Sequence, residues 1–188
     1  MHLWHYSKDG NLQLPDFVNY INHRRNKAIP DEMKYIKPPG LWLSDDDELP
    51  NWRSWCVSEN FRLESLRYYY DVELYSNPYV LYIYDQTSFQ HFQHNFKVPI
   101  NPKSTLYGIN WPSIMNAWNG IIISPYRHEQ RLDSNSFWYC GWDCASAVIW
   151  NPKAIKSISL ARETPKYWSE SMANFKGASD NAFDPEND

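Results

Sequence analysis

The sequence predicts an α+β fold. Its apolar residues switch between alternating and helical spacing from one short segment to the next, Gly and Pro punctuate those segments, and no internal repeat recurs. At 188 residues the chain is long enough to bury about two-thirds of the surface its unfolded form exposes, so one core suffices without metal or disulfide.

Leu3–Ser7 reads as an opening strand, and residues 15–26 as a helix with Phe17, Val18 and Ile21 at helical spacing. Pro38-Pro39-Gly40 breaks the chain before a second short strand at 41–44. The acidic run 45–48 reads as a solvated approach to a helix at 51–59, because three consecutive Asp cannot all face one cation. Residues 69–75 and 79–84 are strand-like, and the Asn77-Pro78 turn between them predicts that they pair or neighbour each other. On a helix at 88–95, His91 and His94 stand three apart; with no third ligand in the pattern they are expected at the surface. Asn110 caps a helix reaching Trp118, with Pro112 in its first turn, and Asn119-Gly120 turns into a strand at 121–124. Residues 142–150 are expected to form the last strong strand. One domain is expected over residues 1–163, followed by a polar, flexible tail at 164–188.

The net charge of −4 argues against a broad basic surface for a nucleic-acid backbone, and the one basic cluster, His23, Arg24, Arg25 and Lys27, reads as a helix end. Ten Trp, 14 Tyr and 8 Phe are many for this length; such side chains fill cores, and their faces also suit flat ligands such as bases and nicotinamide. Cys56, Cys140 and Cys144 are odd in number and form no CxxC pair, so a reducing, cytoplasmic setting is expected, with neither disulfide framework nor metal site. No apolar run is long enough for a membrane span, and no secretory signal opens the chain.

Periodicity and spacing name no reaction. Four segments do carry a resemblance. Leu3-Trp4-His5-Tyr6-Ser7 resembles the L-W-H-G-S segment of the poly(ADP-ribose) polymerase branch of the ADP-ribosyltransferases, with Tyr6 in place of glycine. Gly40-Leu41-Trp42-Leu43-Ser44 is similar to that branch's G-[IL]-Y-F-A strand, and Trp55-Cys56 to its Tyr-Cys pair. Ser146-Ala147-Val148-Ile149-Trp150-Asn151, followed by Ile155, resembles the strand that carries the catalytic glutamate in that branch and in the DNA-modifying DarT toxins; here Ser146 holds the glutamate's position.

The resemblance implies an ADP-ribosyltransferase-like split β-sandwich with flanking helices, using NAD as co-substrate and no metal. It implies transfer of ADP-ribose to a macromolecule, a nucleic acid being favoured over a protein, by an enzyme of the small toxin or phage-borne kind. His5 would bond a hydroxyl of the adenine-side ribose, Tyr6 and Ser7 would meet the nicotinamide amide, and Trp42 and Trp55 would sandwich its ring. The catalytic set would then be His5, Trp42, Ser146 and an acid, with Asp143 three residues before Ser146 as first candidate and Glu129 as second. Three residues along an extended strand, Asp143 would face away from Ser146 unless the strand start re-aims it. Arg127, Glu129 and Arg131 form the acceptor-side set, whose arginines equally suit a pyrophosphate. Because Ser146 carries no charge, a second function stays open, a silent domain that binds NAD or an ADP-ribose-type nucleotide without turnover. Hydrolysis of NAD is a third.

Overall fold

The computed structural model describes residues 2–27 and 34–163. The expected tail lies outside these residues. Strand β1 (Leu3–Ser7) leads to helix α1 (Leu14–Asn26), and β2 (Leu41–Asp45) to α2 (Trp52–Ser58). Next come β3 (Tyr68–Leu74), β4 (Val80–Ile83) and α3 (Gln86–Phe96), then a small hairpin of β5 (Lys97–Pro99) and β6 (Tyr107–Ile109). Helix α4 (Trp111–Ala117), β7 (Gly120–Ile123), β8 (Ser146–Ile149) and β9 (Ile155–Glu163) follow. Short polar residues start the helices: Asn51 accepts from Ser54 N at 2.9 Å and Asp85 from Ser88 N at 2.7 Å, satisfying first-turn donors that have no partner within the helix.

The fold class is α+β, as expected. One sheet of seven strands runs in the order β4-β7-β8-β2-β1-β3-β9, antiparallel except for the β4–β7 pair. The expected pairing of β3 with β4 is not formed. β3 pairs with β1 and β9, whereas β4 lies at the far edge beside β7. Alternating aromatic residues prescribe a strand but not its neighbour; the parallel β4–β7 ladder is closed by the α3–α4 crossover instead.

This order requires a bent sheet. Six residue steps join Leu74 to Val80, a reach of at most about 20 Å, yet in a flat sheet β3 and β4 would be about 24 Å apart. The wings therefore fold toward each other over a shared core, in which Tyr70 and Val72 of β3 and Ile155 of β9 cluster with Ile122 of β7 and Ile149 of β8. Helix α1 adds Phe17 and Ile21 to this side. The other face of the β7–β8–β2 wing is covered by a mostly aromatic core from α3, α4 and the 3-10 segment Ser134–Gly141, including Phe89, Trp111, Trp138 and Tyr139.

Two strand expectations change. The segment expected at 142–150 is extended ladder only over Ser146–Ile149, so Trp142, Asp143 and Cys144 belong to the approach to the strand. β9 was not expected at all. Its apolar residues do not alternate cleanly, because the β3–β9 ladder slips register at Tyr69/Tyr70 and at Glu73/Leu74.

One feature of the sheet positions the site. β1 and β2 are paired only at Leu3–Asp45 and Trp4–Ser44. Beyond Trp4, β1 continues with β3 as far as Ser7, while β2 continues with β8 back to Leu41. The sheet forks between them.

Candidate functional site

A cavity of about 240 Å³ opens in this fork. Consecutive residues of both strands line it, Trp4, His5 and Tyr6 on one arm and Trp42, Leu43 and Ser44 on the other, as a gap between strand edges requires. Ser146, Cys144, Asp143, Gly141, Lys37, Trp52, Arg62 and Ser65 complete its walls. Gly40 makes the β2 entrance feasible: it has φ +155°, and a Cβ there would meet Ile149 O at 2.7 Å.

His5 bridges the fork. Its Nδ1–H donates to the Trp42 carbonyl at 3.1 Å, and its ring packs edge-on against Phe17 at 5.3 Å. Burial holds the imidazole below its ordinary 6.5, partly offset by that carbonyl. The ring is thus neutral at neutral pH, with Nε2 as an acceptor that makes no hydrogen bond among the described residues.

On the other face a polar chain joins the arms. Trp52 N donates to Ser44 Oγ at 2.9 Å, Ser44 Oγ donates to Asp46 Oδ1 at 2.5 Å, and the Tyr6 hydroxyl donates to Asp46 Oδ2. Burial, then the Asp46 charge, pushes the Tyr6 phenol far above its usual range, so it stays protonated. The acidic run is therefore not merely solvated. Asp46 is tied into the fork, and Asp45, 2% exposed, accepts from Ser124 Oγ at 2.6 Å.

The third wall carries rings and charges. Trp42 packs on Trp142 at 4.7 Å, and Lys37 Nζ stands 4.0 Å from the Trp42 ring centroid. Burial lowers the Lys37 pKa, opposed by Asp143. Asp143 lies 3.3 Å from Arg131 Nη2, and burial raises its carboxyl pKa against the pull of Lys37 and Arg131. Lying before β8 and not within it, Asp143 escapes strand alternation and shares the cavity with Ser146. Ser146 is 4% exposed, and its hydroxyl donates to Cys144 O at 2.9 Å. Burial pushes the Cys144 thiol well up, so it is no nucleophile.

Of the expected residues, the fork thus gathers His5, Tyr6, Trp42, Asp143 and Ser146. Ser7 is not among the cavity's lining; its Oγ accepts from Asp9 N at 3.0 Å. Trp55 stacks on Trp52, with ring centroids 5.2 Å apart, and it is Trp52 that lines the cavity. Arg127 donates to the Tyr84 carbonyl, Glu129 is exposed, and neither lines the cavity; Arg131 reaches it through Asp143. Lys37, Ser44, Asp46, Trp52 and Arg62 were not anticipated. Only the acidic run hinted at one of them.

His91 and His94 are exposed on α3, and no group of three His, Cys, Asp or Glu among the described residues is arranged to hold a metal ion. No described helix is long and apolar enough to cross a membrane. The chain matches no protein-family model, and no curated protein or solved structure matches it.

Proposed function

We propose that this protein binds NAD in the fork and transfers its ADP-ribose to a macromolecular acceptor, on an ADP-ribosyltransferase-like split β-sandwich. One observation carries the reading. The three strand segments that resemble the family, spread from Leu3 to Asn151 in sequence, are the adjacent strands β1, β2 and β8, and the ladder opens where His5 and Trp42 meet. Chance matches in sequence have no reason to converge on one cavity.

A cavity of about 240 Å³ is small beside the usual range for ligand sites. It takes the nicotinamide end, leaving the rest of NAD along the rim, where Arg62 offers a guanidinium to phosphate. The ring stacks on Trp42, displacing the Lys37 ammonium, and Asp143 then serves as counter-charge for the cationic ring. His5 accepts a ribose hydroxyl at Nε2. Departure of nicotinamide with the bonding electron pair leaves an oxocarbenium-like ribose, which the acceptor attacks. A nucleic-acid acceptor fits the DarT-like strand better than a protein does.

The test is release of nicotinamide from NAD by the purified chain, with and without DNA, RNA or protein acceptors, beside a thermal-shift assay for binding. Release that depends on one acceptor class supports transfer to that class; absence of both binding and release rejects the reading. A second reading, a silent NAD or ADP-ribose binder, is favoured by one observation: the Ser146 hydroxyl is engaged by its own chain and brings no charge to the ribose. Binding without release would select it.

A further inference from the structure

A carboxylate, which Ser146 lacks, stands just past the end of the neighbouring strand. We propose that Asp46, just past the end of β2, supports the charged transition state of the transfer; this rests on the reading above and names the residue that completes its site.

The placement follows from register. Ser44 lies directly opposite Ser146 in the β2–β8 ladder, so their side chains share a face. The pairing persists beyond the strand, since Asp45 N donates to Ala145 O at 3.1 Å, which sets Asp46 beside Cys144 on that same face. From there Asp46 turns back over the fork. Its Oδ1 takes the hydrogen of Ser44, and its Oδ2 takes that of Tyr6 from the opposite arm.

Both donors have one way to point. Ser44 Oγ already accepts from Trp52 N, so its own hydrogen is directed to Asp46. The Tyr6 hydroxyl can only donate to a carboxylate. Two of about four acceptor sites on the carboxylate are used, and those left over accept a hydroxyl of the nicotinamide-side ribose. Asp46 forms no covalent bond. As the C1′–N bond breaks, nicotinamide leaves with the electron pair, the acceptor oxygen bonds C1′ and releases its proton to solvent, and Asp46 offsets the positive charge in between.

Asp143 is a poorer partner for that charge. Arg131 and Lys37 lie against it and compensate it, whereas the hydrogen bonds to Asp46 come from two hydroxyls, with the Arg53 guanidinium acting on Tyr6.

The experiment compares D46N and D143N with the unaltered chain for NAD affinity by calorimetry and for nicotinamide release. D46N is expected to bind NAD nearly as the unaltered chain does and to lose at least about 100-fold in turnover; D143N, which removes the counter-charge of the ring, is expected instead to weaken NAD binding, by up to about tenfold. D46E, which keeps the charge, restores most of the rate. Should D46N fail to fold, Asp46→Ser, whose hydroxyl still accepts one of the two hydrogen bonds, is expected to show the same loss. A folded Asp46 variant with undiminished release overturns the role of Asp46 and leaves the transferase reading standing. An unaltered chain that binds NAD without releasing nicotinamide overturns the role and selects the silent binder, and one that does neither overturns both.

Discussion

The two walls of the fork are built differently. Across the β1–β2 opening, Trp52, Ser44, Asp46 and Tyr6 form a continuous chain of hydrogen bonds in which each donor has its acceptor. The opposite wall, from Lys37 over Trp42 to Asp143 and Arg131, is held by ring contacts and opposite charges. Behind it, the buried Trp142 Nε1 has no hydrogen-bond partner among the described residues. Directional bonds fix a geometry; a cation on a ring face is exchangeable for another cation. The first wall is suited to orienting a ligand and the second to admitting one.

The largest expected effect breaks the first wall. Ser44→Ala leaves a part-buried Trp52 N–H and one Asp46 oxygen without a partner, at about 1 kcal/mol for the unsatisfied group. Thermal denaturation should show a Tm lower by several degrees, and an unchanged Tm would mean that this chain of bonds does not hold the arms. Lys37→Met sharpens the contrast. It should change stability little but strengthen binding of 1-methylnicotinamide by up to about tenfold, because the ring face of Trp42 is released from a contact of about 0.5–2 kcal/mol. Neutral nicotinamide should gain less. Equal or weaker binding of the cation would show that Lys37 helps the ligand in.

Titration gives smaller effects with opposite signs. Burial depresses the His5 imidazole, so the unfolded chain takes this proton more readily than the folded one. Its contribution is full above the ordinary 6.5 and is lost as the pH falls from there through the folded value. His5→Gln should flatten that part of the Tm profile. Asp143 is raised, so its contribution is greatest below the ordinary 3.8 and declines as the pH rises from there through the folded value. Relative to the unaltered chain, D143N should gain in Tm over that rise. The smallest effect is far from the fork: breaking the exposed Lys156–Glu73 pair, 2.7 Å apart, should leave Tm essentially unchanged, because solvent screens the two charges.

Much of the local structure was legible. Capping residues such as Asn51 and Asn110 and the apolar spacing of Phe17 and Ile21 mark their helices, because these signals act within a few residues. Strand partners were not. The partner of β4 is 40 residues away, and nothing within β4 encodes β7. The site shows the same divide. His5, Tyr6, Trp42 and Ser146 stand in short motifs, whereas Asp46 reads locally as part of a solvated run, since no local pattern reveals that Tyr6 reaches across to it.

By itself, then, the sequence determined the α+β class, most helices and strands, and the residue types available to a flat, partly cationic ligand. Only the tertiary structure decided that the sheet forks after Trp4 and that Trp52, not Trp55, lines the opening. It also decided that Asp143 shares the cavity with Ser146 and that Asp46 is bonded across the fork to Tyr6. The reason is physical: helix caps and side-chain periodicity are set by near neighbours, whereas the point where a ladder stops depends on competition among distant strands for the same edge.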